Sequence, residues 1–125
     1  MIFPLPAIAD GYGFMTPSGN IFCNGAVLDG YIECTIVEKS GSPAQPRPYS
    51  CSGTWGHSFA LDGTGPARLS CESKPPQKTD YSDVAGYGQT AEFGPITCTS
   101  ERTGLTCRNQ SGNGFFMSRS KQEVF

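Results

Sequence analysis

Histidine is almost absent from the sequence: His57 is the only one, and no two cysteines stand at C-x-x-C spacing. Zinc sites are usually assembled from several such residues at short spacings. The glycine-rich stretches at 63–65 and 111–114 also lack the lysine and the following helix of a phosphate-binding loop. We therefore expect no metal ion and no other cofactor.

Runs of basic residues and long apolar segments are absent too. The nine Lys and Arg residues are scattered among eleven Asp and Glu residues, and the net charge is −2 at pH 7. Proteins that bind nucleic acid usually concentrate positive charge on one face, and a membrane-spanning helix needs about 20 apolar residues. The composition therefore predicts neither a nucleic-acid partner nor a membrane span, and it leaves the oligomeric state open.

Helix-forming segments are scarce because 16 glycines and 10 prolines interrupt nearly every window. What remains is a series of short segments typical of strands, each bounded by turn-forming residues: NIFC, YIECTIV, SFAL, ARLSC, PITC, LTCRN and FFMSR. This pattern predicts an all-β fold, an antiparallel small sandwich or a partly open barrel of short hairpins. The two irregular stretches at 38–49 and 72–83 are expected to be surface loops.

The chain has the length of one domain, but Leu, Ile, Val and Phe number only 23 residues. A core this small is typical of exported domains that rely on disulfides for stability. The first residues, MIFPLPAIAD, resemble the end of a signal peptide, with Ala7-Ile8-Ala9 as a cleavage pattern. We predict a signal-peptide remnant or disordered start at 1–9 and a single disulfide-linked β domain at 10–125.

Two of the three sequential cysteine pairs flank short polar loops, in IFCNGAVLDGYIEC and ITCTSERTGLTC. If each loop is a four-residue hairpin turn ending in glycine, counting back along the strands sets Cys23 opposite Cys34 and Cys98 opposite Cys107. Directly opposed residues lie within reach of a disulfide. Because the cysteines alternate in step with apolar residues, we predict that both disulfides lie in the apolar layer.

The remaining pair, Cys51 and Cys71, brackets a hairpin-like block around residues 62–65. A loop at 62–65 would set Cys71 opposite Gly56. A Cys51–Cys71 bond would then join a preceding loop to the sheet instead of crossing a strand pair. Six cysteines allow fifteen connectivities, and we predict the sequential one.

A hydrolase would have to use His57 as its base, because the chain has no other imidazole. Its candidate partners are Ser18, Ser58, Ser118, Asp62 and Asp83. No spacing favours any of them, no G-x-S-x-G motif is present, and no pair of acids is singled out for glycoside hydrolysis. We interpret His57 as structural and predict no catalytic residue.

Two polar clusters place Asn, Ser and Gly beside aromatic residues: TPSGN at 16–20 and RNQSGNGFFMSR at 108–119. Such mixtures can bind a sugar or a peptide backbone through amide hydrogen bonds. The alternative is that these residues form turns and bond with their own backbone. If the first and last hairpins are neighbours, the clusters would form one ligand-binding surface that contains Asn20, Asn109, Asn113 and Arg119.

The order of motifs resembles a family of small exported bacterial proteins that is a domain of unknown function. The matching segments are F-x-TPSGNI-x-C, C-T-I, WG, YG, I-x-C-x-S, GLTCRN and G-x-GFF-x-SR. The resemblance implies export and the sequential disulfides. Relatives often have His in place of Asn113, and Gly-Asp shortly after the fourth cysteine, where this chain has Glu72-Ser73.

These observations predict a secreted or periplasmic protein that is more consistent with binding than with catalysis. The favoured function is an exported noncatalytic binding or interaction module of the periplasm or cell envelope, with an unknown protein, peptide or glycan as its ligand. The alternatives are a small secreted hydrolase that uses His57 and a secreted inhibitor of a partner protein.

Overall fold

The computed structural model describes residues 11–125, so the signal-peptide prediction for residues 1–9 lies outside the described residues. The fold within this range is all-β, as predicted, and consists of two antiparallel five-stranded sheets. The sheets pack face to face and are not closed into a barrel, so the sandwich alternative is the correct one. No helix long and apolar enough to cross a membrane occurs between residues 11 and 125.

Each sheet is a meander in which strands that follow one another in sequence are hydrogen-bonded neighbours. Sheet 1 contains β1 (Gly11–Met15), β2 (Ile21–Ala26), β3 (Tyr31–Ile36), β4 (Thr54–Asp62) and β5 (Arg68–Glu72). Sheet 2 contains β6 (Thr90–Phe93), β7 (Ile96–Glu101), β8 (Gly104–Arg108), β9 (Gly114–Met117) and β10 (Gln122–Val124). All neighbouring pairs are antiparallel.

The predicted register of the two cysteine hairpins is confirmed, although the second loop has two residues and not the predicted four, because Glu101 pairs with Gly104. Cys23 pairs with Cys34 and Cys98 with Cys107 across their ladders, and both pairs form disulfides. Gly30 closes the first loop with φ of 72°, a conformation that glycine adopts without the steric cost of a Cβ. All four cysteines are buried in the core, so these disulfides lie in the apolar layer.

The third disulfide joins Cys51 to Cys71 and, as predicted, ties the preceding loop to sheet 1. The predicted partner of Cys71 is wrong by one residue: it pairs with Trp55 and not with Gly56. The register shifts between Trp55 and Phe59, where β4 contains a bulge. Two differences combine. Next to the turn, Ala60 pairs with Arg68, so the turn is one residue longer than a loop at 62–65. The bulge then places two extra residues on β4, and counting from the turn includes neither difference.

The core lies between the sheets and is built from aromatic and aliphatic side chains of both. Phe59 of β4 packs on Phe115 of β9 with ring centroids 5.2 Å apart, and Phe14 of β1 stacks on Phe93 of β6 at 6.1 Å. Contacts between aromatic rings stabilise the packing of the two sheets by more than the burial of their apolar area alone. The two meanders therefore form one hydrophobic core.

Candidate functional site

The four residues predicted to bind a ligand lie at opposite ends of the sandwich. Asn20 precedes β2 and Arg119 follows β9, whereas Asn109 and Asn113 lie between β8 and β9. Strand β9 therefore separates Asn113 from Arg119. The structure brings Asn20 and Arg119 to one end and the other two residues to the other end, so the four do not form a single surface.

Asn20 and Arg119 are linked through Glu38. The buried amide of Asn20 donates to the Glu38 carbonyl at 2.9 Å and accepts from the Glu38 backbone N–H at 2.8 Å. The exposed guanidinium of Arg119 pairs with the Glu38 carboxylate at 3.0 Å. Both residues line a cavity of about 210 Å³, together with Arg102, whose guanidinium lies over the Tyr87 ring.

Asn109 is buried and uses its whole side chain to hold the opposite end of the sandwich. Its Nδ2 donates to the carbonyls of Asp62 at 2.9 Å and Gly65 at 2.8 Å. Its Oδ1 accepts from the backbone N–H groups of Ser111 and Asn113, each at 3.0 Å. This amide joins the turn after β8 to the turn after β4, and none of its ordinary hydrogen-bonding capacity remains for a ligand.

Replacing Asn109 by Asp should destabilise the domain by about 2 to 4 kcal/mol, because two carbonyls would lose their donor and face a carboxylate oxygen instead. The matched control is Asn113→Asp, because within the described residues the Asn113 side chain makes a single long hydrogen bond, 3.4 Å, to the Phe125 carbonyl. That change should cost less than about 1 kcal/mol. Urea denaturation of both variants measures the difference, and equal midpoints would contradict this assignment.

His57 lies in β4, an interior strand of sheet 1, and its ring is held by the backbone of the chain. Its Nδ1 lies 2.7 Å from the Ile36 carbonyl, and because a carbonyl oxygen only accepts, Nδ1 is the donor. The three serines considered as nucleophiles bond elsewhere: Ser18 with the Asn20 backbone, Ser118 with the Lys121 carbonyl, and Ser58 with Thr35 and Glu72.

The two aspartates considered as partners of His57 also have other neighbours. Asp62 pairs with Arg68 at 2.8 Å. Asp83 lies beside Tyr12, whose phenol pKa is raised by burial and, to a lesser extent, by the charge of this carboxylate. The geometry therefore assembles no serine–histidine–aspartate arrangement among residues 11–125.

A larger cavity lies on the outer face of sheet 1, and the sequence analysis missed it. This outer-face groove has a volume of about 480 Å³, within the ordinary range of small-molecule sites. Its floor consists of side chains that point away from the core: Phe22, Asn24, Glu33, Thr35 and Glu72. Its wall consists of Lys74, Pro75, Pro76, Gln77 and Thr79.

Strand alternation explains why polar side chains form the floor. Cys23, Cys34 and their alternate neighbours point into the core, so the intervening residues of β2 and β3 point outward. Asn24 and Glu33 are directly opposed in the ladder between β2 and β3. The outward residues of these two strands therefore meet side by side under the wall.

A chain of hydrogen bonds fixes the carboxylates of the groove. The Thr35 and Ser58 hydroxyls lie 2.7 Å apart, and Ser58 donates to Glu72 Oε2 at 3.0 Å. Ser70 donates to Glu33 Oε2 at 3.4 Å. Glu72 Oε1 is buried and has no hydrogen-bond partner within the described part of the chain, so this carboxylate keeps an unused acceptor.

The wall of the groove is anchored at both ends. Before it, Cys71 is bonded to Cys51. After it, Tyr81 stacks on Phe22 with ring centroids 5.9 Å apart, and a Cβ at Gly13 would overlap the Tyr81 ring. Further along, the Met15 N–H donates to the Asp83 carbonyl at 3.0 Å. The wall is thus tied to β1, β2 and β5.

The groove carries charges of both signs. Glu33 and Glu72 supply two carboxylates, and Lys74 supplies an ammonium group at the exposed rim. Among residues 11–125 there is no group of three or more His, Cys, Asp or Glu side chains that could hold a metal ion. The groove can accept hydrogen bonds through its two carboxylates and donate them through the Lys74 ammonium group.

A family model described as a family of unknown function (DUF6636) matches residues 1–125. It agrees with the resemblance that the order of motifs indicates. No curated protein and no solved structure matches the chain.

Proposed function

We infer that this chain, which belongs to the DUF6636 family, is an exported noncatalytic binding module of the periplasm or cell envelope, and that its ligand occupies the outer-face groove. The three disulfides support the export part of the proposal, because such bonds form and persist in oxidising compartments. The observation that carries the binding part is the groove itself.

The groove has the properties of a preorganised site. Its two glutamates are positioned by Ser58 and Ser70, and its wall is anchored before and after. Side chains that are already fixed lose little conformational entropy when a ligand binds. By contrast, Asn20 and Asn109 spend their amides on backbone groups, so the groove is a better candidate for the main site than either polar cluster.

A hydrolase that uses His57 has weaker support. The imidazole bonds with the Ile36 carbonyl, and the nearest serine in sequence, Ser58, is occupied by Thr35 and Glu72. A nucleophilic serine needs a hydrogen bond to its base. The hydroxyls of Ser58 and Ser70 instead donate to the carboxylates of Glu72 and Glu33 and so position them.

Co-sedimentation with the envelope fraction of the producing cells tests the proposal. The wild-type protein should pellet with the envelopes, and Asn24→Trp should reduce the apparent affinity at least about tenfold, because an indole ring would fill the groove. The matched control is Thr97→Trp, which places the same ring at an exposed position beside a disulfide cysteine, on the outer face of sheet 2. This variant should bind as the wild type does.

Two results would reject the proposal. One is that the wild-type protein stays in the supernatant. The other is that Asn24→Trp and Thr97→Trp pellet equally well while both keep the melting temperature of the wild type.

A further inference from the structure

We propose that the ligand of the outer-face groove is a neutral saccharide. This inference rests on the proposed function, since it assigns a chemical class to the ligand of the same groove. It follows from the hydrogen-bonding groups, the charges and the apolar surfaces that line the groove.

The groove offers donors and acceptors side by side. Asn24 is exposed and its amide makes no hydrogen bond within residues 11–125, so it can both donate and accept. Glu33 and Glu72 only accept when ionised, and Lys74 only donates. A hydroxyl group both donates and accepts through a single oxygen atom. A ligand with several neighbouring hydroxyls can therefore satisfy this mixed set, whereas a ligand of donors alone or acceptors alone cannot.

The charges of the groove disfavour an anionic ligand most, because an anion would meet the carboxylates of Glu33 and Glu72 on the floor. A cation would meet the ammonium group of Lys74 at the exposed rim. Like charges in close contact lower affinity by several kcal/mol. A neutral ligand avoids both costs.

The apolar surfaces fit the C–H faces of a sugar ring. Phe22 lines the groove and is backed by the Tyr81 ring at 5.9 Å. Pro75 and Pro76 face it from the wall. A site that combines apolar surface with a few placed polar groups fixes the orientation of a small ligand, and saccharides carry both kinds of surface on one ring.

The unpaired oxygen of Glu72 gives independent support. Glu72 Oε1 is buried without a partner, and buried polar groups in folded proteins are nearly always hydrogen-bonded. The other oxygen of this carboxylate is already held by Ser58. Because this oxygen is buried, a ligand hydroxyl would reach it only if the Glu72 carboxylate turned toward the groove, and that contact would satisfy the unused acceptor.

A glycan array that includes neutral, acidic and amino saccharides, together with an array of basic and acidic peptides, tests the proposal. The wild-type protein should bind a subset of neutral glycans. Asn24→Trp and the isosteric Glu33→Gln should each weaken binding to these glycans about tenfold or more, since the first fills the groove and the second replaces one carboxylate acceptor with an amide donor. Thr97→Trp should bind as the wild type does, and melting temperatures report whether each variant is folded.

The outcomes separate this inference from the proposed function. If envelopes still bind in a groove-dependent way but no glycan does, or if basic or acidic peptides bind instead, the saccharide class is wrong and the binding module stands. If neither envelopes nor glycans bind, both proposals fail. If a bound glycan is shortened, as mass spectrometry would show, the saccharide class stands and the noncatalytic assignment fails.

Discussion

Reduction of the three disulfides is expected to abolish the cooperative unfolding transition of this domain. The bonds close loops with sequence separations of 11, 20 and 9 residues. Each contributes about 3 kcal/mol in the loop-entropy treatment. Their sum, roughly 8 to 9 kcal/mol, is comparable to the whole free energy of unfolding of a typical small domain. Circular dichroism during thermal unfolding, with and without a phosphine reductant, measures the effect.

The three bonds should not be reduced equally fast. Cys71 is exposed although its partner Cys51 is buried, whereas both cysteines of each of the other two bonds are buried in the core. A reductant reaches an exposed sulfur directly, but it reaches a buried one only after local opening. Peptide mapping after brief reduction should therefore show Cys51–Cys71 open first. A fully reduced protein that unfolds cooperatively at the same temperature as the oxidised protein would refute the first expectation.

Truncation of Phe115 to Ala should cost about 3 to 5 kcal/mol, the usual range for a fully buried phenylalanine. The side chain has no exposed surface and packs on Phe59, so its loss leaves a cavity at the centre of the contact between the sheets. Urea denaturation of the oxidised protein measures the change in the free energy of unfolding.

The matched control for Phe115→Ala is Tyr49→Ala. Tyr49 is an aromatic residue with a relative exposure of 107%, so its truncation should change stability by less than about 0.5 kcal/mol. A similar small change for Phe115→Ala would mean that the two sheets do not share a single core.

The register of the two cysteine hairpins was predictable because everything that sets it is local. The loop lengths, the glycine at the end of each loop and the alternation around Cys23 and Cys98 all lie within about a dozen residues. The predicted partner of Cys71 in the hairpin of β4 and β5 was wrong by one residue. The turn is one residue longer than predicted, and the bulge between Trp55 and Phe59 adds two residues to β4; neither has a comparable mark in the sequence.

Strands β1, β6 and β10 were not among the strand segments read from the sequence. β1 contains two glycines, and β6 and β10 are short segments, TAEF and QEV, with mostly polar residues. All three are edge strands of their sheets. Edge strands are often short and polar, and the hydrophobic pattern by which strands are recognised is correspondingly weak.

The candidate site was harder to predict than the fold. The polar clusters were chosen by composition, but composition does not show that the Asn109 amide bonds with Asp62, which lies 47 residues away in sequence. The groove combines Asn24 and Glu33 with Lys74, about 40 residues later. The sequence did contain a signal for the groove, since β2 and β3 carry outward polar residues and a long proline-containing loop follows β5. The sequence does not show where this loop crosses the sheet, and the groove exists only where it does.

The meander topology divides the domain into two halves that no disulfide joins. All of sheet 1 precedes residue 73 and all of sheet 2 follows residue 89, and each disulfide lies within one half. Only the linker that contains the wall of the groove connects them through the chain. In this linker Lys78 is exposed and is followed by Thr79, whereas Lys74 precedes Pro75, a bond that trypsin does not cut. A single tryptic cut after Lys78 would leave two fragments held together by the core and by noncovalent contacts such as those of Asn109 and Arg119. Denaturant would separate them without any reductant. The domain could therefore be divided into two complementary fragments, and the cut would fall in the wall of the groove.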